Sequence, residues 1–256
     1  MSWEQNVVIK SSAELALMRE AGRVNALALA AVKELIRPGV TTADLDAAAA
    51  EVIHRNGGKA VFKGYPGAYP YPATICASVN EELVHGIPGK RKLKEGDIIS
   101  IDCGTLLDGF VGDSAFTTGV GEISPTAEKL LEVTEKSLYI GIEKMRSGNR
   151  SGDISSAIQQ FVEAQGFYVT REYTGHGVGR KMHEGPQVPN YGSPGRGTLL
   201  RPGMTIALEP MVLVGTPRTR VLGDQWTVVS ADGSLTAHFE HSVAVTDGDP
   251  WILTLA

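Results

Sequence analysis

GDIISIDCGTLLDGFVGDSAFTTGVG, residues 96–121, decides the fold. Two β-rich runs, 98–107 and 110–118, flank Asp108-Gly109, the strongest short-range hairpin signal, because both loop positions must take positive φ. A two-residue loop there pairs Leu107 with Phe110, sets Gly104 opposite Asp113 and sets Asp102 opposite Ala115. Asp102 and Asp113 then become diagonal neighbours on one face, roughly 7–8 Å apart at the backbone and closer at the carboxylates. Ile99, Ile101 and Phe110 mark the hairpin as largely buried. Two carboxylates pressed together out of water need a counter-charge, and a metal ion between them supplies one.

Working outward, the preceding residues read as a helical entry into the sheet. Ser11-x-x-Glu14 has the form of a capping box, and Leu15, Met18, Gly22, Ala26, Leu29, Val32 and Ile36 recur at steps of three or four until Arg37-Pro38-Gly39. Thr41-x-x-Asp44 opens a second helix that ends at Asn56-Gly57-Gly58. A Gly/Pro/Tyr-rich loop leads to a strand over 73–79. Downstream of the hairpin, helices are expected over 126–145, capped by Ser124-Pro125, and over 153–165. Beyond Tyr168 the pattern is strands and turns. Helices and strands are therefore segregated more than alternated, which predicts an α+β fold, and with no stretch resembling an interdomain linker residues 1–256 are expected to form one domain.

Three further residues join the two aspartates. His176 lies in TGHGVGR, where flanking glycines permit close backbone approach; Glu209 lies in IALEPMV and Glu240 in HFEHSV, inside strand-like runs over 205–214 and 237–245. An unpaired glutamate in such a run would cost several kcal/mol if it stayed charged in a dry interior. Four carboxylates and one imidazole suit hard or borderline divalent ions, Mn, Fe, Co or Zn, and not copper or an Fe–S cluster. His183, followed by Glu184-Gly185-Pro186, and His85, which ends a short strand before Gly86-Ile87-Pro88, are placed to present side chains into a cleft. His54 reads as an ordinary helix residue.

Composition limits the alternatives. At 256 residues with 42% hydrophobic and 21% charged residues, the chain can bury a substantial core. A net charge of −5 gives no general basic surface for nucleic acid or an anionic membrane. The opening MSWEQ lacks a secretory signal pattern, and the uncharged apolar run 26–32 is too short to span a bilayer. Cys76 and Cys103 are too few for a disulfide framework and lack zinc-site spacing. A cytoplasmic protein is expected.

The segments NEELVHGIPG, GDIISIDCGTLLDGFVGDSAFTTGVG, REYTGHGVGRKMHEGPQVPNYG, LRPGMTIALEPMV and HFEHSVAVTDG, in this order, resemble the type I methionine aminopeptidases in their short bacterial form over essentially the whole chain. The resemblance implies the pita-bread fold, an antiparallel sheet covered by helices in two halves related by a pseudo-twofold axis. It implies two divalent metal ions: Asp102 on one, His176 and Glu209 on the other, with Asp113 and Glu240 bridging. The implied reaction is attack of a metal-bridging water or hydroxide on the first peptide bond, removing the N-terminal methionine. Glu209 is the implied general base, His85 a partner of the scissile nitrogen or leaving amine, and His183 a stabiliser of the carbonyl oxygen.

By the same resemblance the methionine pocket is walled by Tyr65, Tyr71, Cys76, His85, Met182 and Trp226, whose aromatic and sulfur groups suit a thioether. The loop GYPGAYPYPATIC is longer than the usual family form, which leaves open whether Tyr65 or Tyr71 faces the pocket. Met182 stands where some relatives carry phenylalanine. A two-residue turn at Asp232-Gly233 would pair Trp226 with Phe239 and face it away from Glu240, so a bulge or longer loop is expected there. The implied substrates are nascent polypeptide N-termini, the enzyme is expected to be a monomer, and any contact with the ribosome would come from the catalytic domain itself. An X-Pro aminopeptidase or prolidase shares the fold and a similar ligand set; it usually carries an additional N-terminal domain, for which this sequence has no counterpart. A non-catalytic binding protein of the same fold typically loses ligands, and here all five positions are filled.

Overall fold

The computed structural model describes residues 6–256, so the opening MSWEQ lies outside the described residues. Helices α1 (Ser12–Leu35) and α2 (Thr42–Arg55) both start at the expected capping boxes. The Ser11 side chain accepts from the Glu14 N–H while the Glu14 carboxylate accepts from the Ser11 N–H, and Thr41 and Asp44 repeat the exchange. Strands β1 (Lys59–Ala60), β2 (Ile75–Val79), β3 (Glu82–Val84), β4 (Ile98–Leu107) and β5 (Phe110–Gly119) follow. Helices α3 (Pro125–Glu143) and α4 (Ser151–Ala164) come next. Helix α4 begins two residues earlier than expected because Asp153 is not its cap but its third residue, accepting from the Arg150 N–H.

The remaining strands are β6 (Tyr168–Val169), β7 (Thr174–Gly177), β8 (Glu184–Pro189), β9 (Thr205–Leu208), β10 (Met211–Leu213), β11 (Thr219–Val221), β12 (Val228–Ser230), β13 (Thr236–His238), β14 (Glu240–Ala244) and β15 (Trp251–Ile252). One large antiparallel sheet runs β1-β4-β5-β14-β9-β7-β8, with β2 added on β4 and β15 on β14; two three-stranded sheets, β13-β10-β6 and β11-β12-β3, complete the molecule. Helices α1 and α2 pack their apolar faces on β2 and β4 through Leu29, Val32, Leu45, Ile75, Ile99 and Ile101. Helix α3 packs on β9 and β14 and α4 on β6 and β8, in one core that includes Leu130, Leu138, Ile158, Ile206 and Val243. Each half of the sheet thus has its own helix pair.

The hairpin has the expected register, Leu107 to Phe110, Gly104 to Asp113 and Asp102 to Ala115. Asp108 and Gly109 both take positive φ, 47° and 80°, as a two-residue turn requires. Helix α1 reaches β5 through glycine: a Cβ on Gly112 would come within 2.6 Å of the Gly22 backbone. This contact seats the helix directly behind the strand that carries Asp113.

Two expectations are corrected. Residues 205–214 and 237–245 are not single strands. The first breaks at Glu209-Pro210 between β9 in the large sheet and β10 in the smaller one, and the second breaks at Phe239 between β13 and β14. Proline has no N–H for a ladder, so the crossing falls where the ladder is already interrupted. The turn at Asp232-Gly233 is no hairpin either, since β12 pairs with β11 and β3 while β13 pairs with β10. The irregularity expected there is therefore a change of sheet, and Trp226 faces the cavity from the loop before β12.

Candidate active site

Five neighbouring strands of the large sheet each bring one of the five expected residues to the same place. Asp102 comes from β4, Asp113 from β5, Glu240 from the first position of β14, Glu209 from just beyond β9 and His176 from β7. Asp102 and Glu240 both stand in register with Ala115, on either side of β5. His176 faces Ala207. The sheet therefore converts residues spread over 139 positions of sequence, 102 to 240, into one patch.

The contacts within the patch are close. His176 Nε2 lies 3.7 Å from Asp113 Oδ2 and 3.4 Å from Glu209 Oε1. One donor atom each from Asp113, His176 and Glu240 falls within a 4.8 Å group. Asp113 and Glu240 are 1% and 2% exposed, yet Asp102 Oδ1, Asp113 Oδ1 and Glu240 Oε1 are buried with no hydrogen-bond partner among the described residues. Buried carboxylate oxygens without a donor are costly, and this number in one place is accounted for by a cation. The donor set, acidic oxygens with one imidazole, fits a hard or borderline divalent ion, so the residues present fit the metal that the sequence implies.

Burial governs the titration of the site. It pushes Asp113 up to about 7. It also pushes Asp102, Glu209 and Glu240 well above the usual carboxylate range, with the neighbouring carboxylates adding to the effect. It pulls His176 down to about 3 and His85 to about 4, in both cases with His183 as a lesser cause. His183 is lowered by burial too. Without a cation, protons take over part of its role among the carboxylates while the imidazoles stay neutral.

Above this patch opens a cavity of about 190 Å³. Its walls include every residue expected for the methionine pocket: Tyr65, Tyr71, Cys76, His85, Met182 and Trp226. Both tyrosines line it, in different ways. The Tyr71 hydroxyl donates to the backbone, with Ile75 O at 3.1 Å and Gly86 O at 2.9 Å, so the ring is fixed as wall. The Tyr65 hydroxyl meets His183 Nδ1 at 2.6 Å. His85 follows β3 with φ of 61°, a left-handed backbone uncommon outside glycine, and its ring stands edge-on to Trp226 and Tyr173. His54 lies exposed at the end of α2, away from the site.

His238 is the residue that sequence reasoning missed. It is 2% exposed, lines the cavity, and holds Nε2 3.6 Å from Glu209 Oε2 and 3.8 Å from Glu240 Oε2. That nitrogen has no hydrogen-bond partner, and burial, with His85 as a lesser cause, pulls the ring down to about 3. The signal was present: His238 stands two residues before Glu240, hence on the same side of an extended chain.

A sheet whose adjacent strands converge acidic oxygens and imidazole on the floor of an apolar cavity has the donor chemistry of a hydrolytic metalloenzyme. The model of metallopeptidase family M24 matches residues 16–247. Methionine aminopeptidase of Clostridium perfringens is 52% identical over 97% of this chain and 99% of its own length. Methionine aminopeptidase 1 of Bacillus subtilis is also 52% identical, with the same coverage. The crystal structure of methionine aminopeptidase from Thermotoga maritima superposes with a TM-score of 0.95 at 46% identity, covering 98% of this chain and all of that one. Prolidase from Pyrococcus furiosus shares the fold, at a TM-score of 0.79 and 20% identity over 66% of its length. The chain belongs to metallopeptidase family M24 and, within it, to the methionine aminopeptidases.

Proposed function

We propose that this chain removes the N-terminal methionine from peptides and nascent proteins, in the cytoplasm and as a monomer. The observation that carries this reading is the cluster of buried, partnerless carboxylate oxygens directly beneath a cavity walled by aromatic and sulfur side chains. Asp102, Asp113, His176, Glu209 and Glu240 would hold two divalent ions, of Co, Mn, Fe or Zn. The chemistry such ions supply when bound is activation of water and polarisation of a carbonyl oxygen.

The protein's own groups do the rest. Glu209, on the cavity floor between His176 and His238, takes a proton from the attacking water. His183, neutral in its buried setting, offers a ring N–H to the carbonyl oxygen as negative charge develops there. His85 offers its ring to the scissile nitrogen. Tyr71, Cys76, Met182 and Trp226 surround the methionine side chain and keep water from it. The substrate's first residue fills the closed end of the cavity, so one residue leaves per encounter.

The test is release of the N-terminal residue from Met-Gly-, Leu-Gly- and Gly-Pro-started peptides by metal-stripped protein resupplied with Co, Mn, Fe or Zn. Metal-dependent cleavage of the methionine peptide alone is expected. Preference for the Gly-Pro peptide would move the protein to the X-Pro branch, and no cleavage with any ion would leave a binding protein.

A further inference from the structure

We infer that Tyr65 is a positioning residue that sets the tautomer of His183, holding Nδ1 as an acceptor so that the ring hydrogen stands on Nε2. The inference deepens the proposed function and rests on it for the role of His183. Tyr65 and His183 meet at 2.6 Å between the hydroxyl oxygen and Nδ1, with the rings edge-on at 66° and 5.4 Å between centroids. Two proton arrangements fit such a contact. In one the phenol donates to a bare Nδ1; in the other Nδ1–H donates to the phenol oxygen and Nε2 is bare.

The chemistry of the two groups selects the first. A phenol is the better donor and an imidazole nitrogen the better acceptor, and burial disfavours the phenolate, so Tyr65 keeps its proton. In the second arrangement the phenol hydrogen would need another acceptor, and Nδ1 is the only partner the Tyr65 hydroxyl has among the described residues. With Nδ1 accepting, a neutral imidazole carries its hydrogen on Nε2. That is the state able to donate to a carbonyl oxygen turning negative. A bare Nε2 would repel it.

Both partners are anchored independently, which is what a positioning contact requires. The loop carrying Tyr65 is closed on itself: the Tyr65 N–H donates to Phe62 O, the Tyr71 N–H to Tyr65 O and the Gly64 N–H to Tyr71 O, at 2.8, 2.9 and 2.8 Å. Between these ends residues 66–70 are exposed. On the other side, Glu184, the residue after His183, is held by Lys10 Nζ at 2.5 Å and accepts from the Lys181 N–H.

The test is long-range ¹H–¹⁵N NMR of ¹⁵N-histidine-labelled Zn-loaded protein, with His183 assigned by loss of its signals in His183→Asn, alongside kinetics of Tyr65→Phe. The wild type should show a protonated Nε2 and bare Nδ1 at His183, and Tyr65→Phe a mixture of both tautomers. For that variant, kcat should fall about 10- to 100-fold while KM and the methionine-over-leucine ratio stay within about threefold. A wild-type His183 with its hydrogen on Nδ1 overturns the inference. So does a Tyr65→Phe protein with unchanged tautomer and kcat but a changed methionine-over-leucine ratio, which makes Tyr65 a pocket wall only. The spectrum needs no turnover. If wild type cleaved nothing, the proposed function would fall while the tautomer would still be read.

Discussion

Glu209 and Glu240 occupy the two points at which adjacent chain runs cross from the large sheet into the β13-β10-β6 sheet. His241 pairs with Leu208 on one side of the crossing and His238 with Met211 on the other. Between them only the Phe239 N–H to Pro210 O bond, at 3.3 Å, joins the two runs. The glutamates stand where the ladder is thinnest, so their side chains can turn inward without breaking a regular sheet. Because Glu240 is buried with an orphaned oxygen, Glu240→Gln should weaken binding of the divalent ions by at least about 100-fold. The metal-free variant should unfold at or above the temperature of metal-free wild type, since a neutral amide replaces an uncompensated carboxylate. Titration calorimetry and thermal unfolding of both forms check this, and a metal-free variant that melts well below wild type contradicts it.

Metal uptake should expel protons. Asp113 is pushed up to about 7 by burial, so in the metal-free protein it holds a proton below that pH and must release it to bind a cation. The sign follows: apparent affinity weakens as pH falls through 7, with the raised Asp102, Glu209 and Glu240 acting in the same direction. Calorimetry at pH 6, 7 and 8 in buffers of different ionisation enthalpy should show more protons released at pH 6 than at pH 8. No proton release at any of the three would show that the carboxylate cluster is already ionised.

Lys10 and Glu184 form an ion pair at 2.5 Å with side chains 2% and 5% exposed. Replacing Lys10 by Met leaves Glu184 buried without its partner, at a cost of about 3–5 kcal/mol. For a chain of this size that lowers Tm by roughly 6–20 °C. Because His183 precedes Glu184, kcat should fall as well. Calorimetry and peptide release measure both, and a melt within a degree or two of wild type would refute the first.

Gly112 touches the backbone of Gly22, so Gly112→Ala forces helix α1 away from β5 and should destabilise by about 1–3 kcal/mol. Activity should fall with it, since Asp113 is the next residue. Gly223 has open space around a Cβ position and no positive φ, so Gly223→Ala is the neutral control. Denaturant unfolding midpoints decide between them.

Norleucine differs from methionine by a methylene in place of sulfur. The cavity walls are apolar or aromatic around that position, so a norleucine-started peptide should be cleaved within about tenfold of the methionine one, whereas an added hydrophobic branch should cost more. Competition assays of kcat/KM measure the ratio.

The hairpin could be read from sequence in full, register included, because Asp-Gly admits one short turn and the side-chain period of a strand is two. Asp102 and Asp113 follow from that arithmetic. The convergence of Glu209, Glu240 and His176 on the same spot could not, because strand order in a sheet depends on contacts far apart in the chain. The glutamate-bearing runs looked continuous since each sheet alone would accept their apolar pattern; the change of sheet is decided by what packs on either side. His238 escaped for a local reason: a lone histidine in an apolar run is more often a satisfied core residue, and only the convergence of the strands gives it Glu209 and Glu240 as neighbours. The bond from Tyr65 to His183 spans 118 positions and two loops, and no periodicity announces it.

The segment before α1 is stitched to the far end of the chain: Val7 bridges Gly185, the Lys10 ammonium meets Glu184, and the Lys10 N–H donates to Gly203 O. During synthesis residues 7–10 are made about 175 or more residues before these partners. The segment before α1 therefore waits for its partners until most of the polypeptide has been made. A copy cut off before Glu240 should trim no other chain, and activity would report that synthesis has passed that residue.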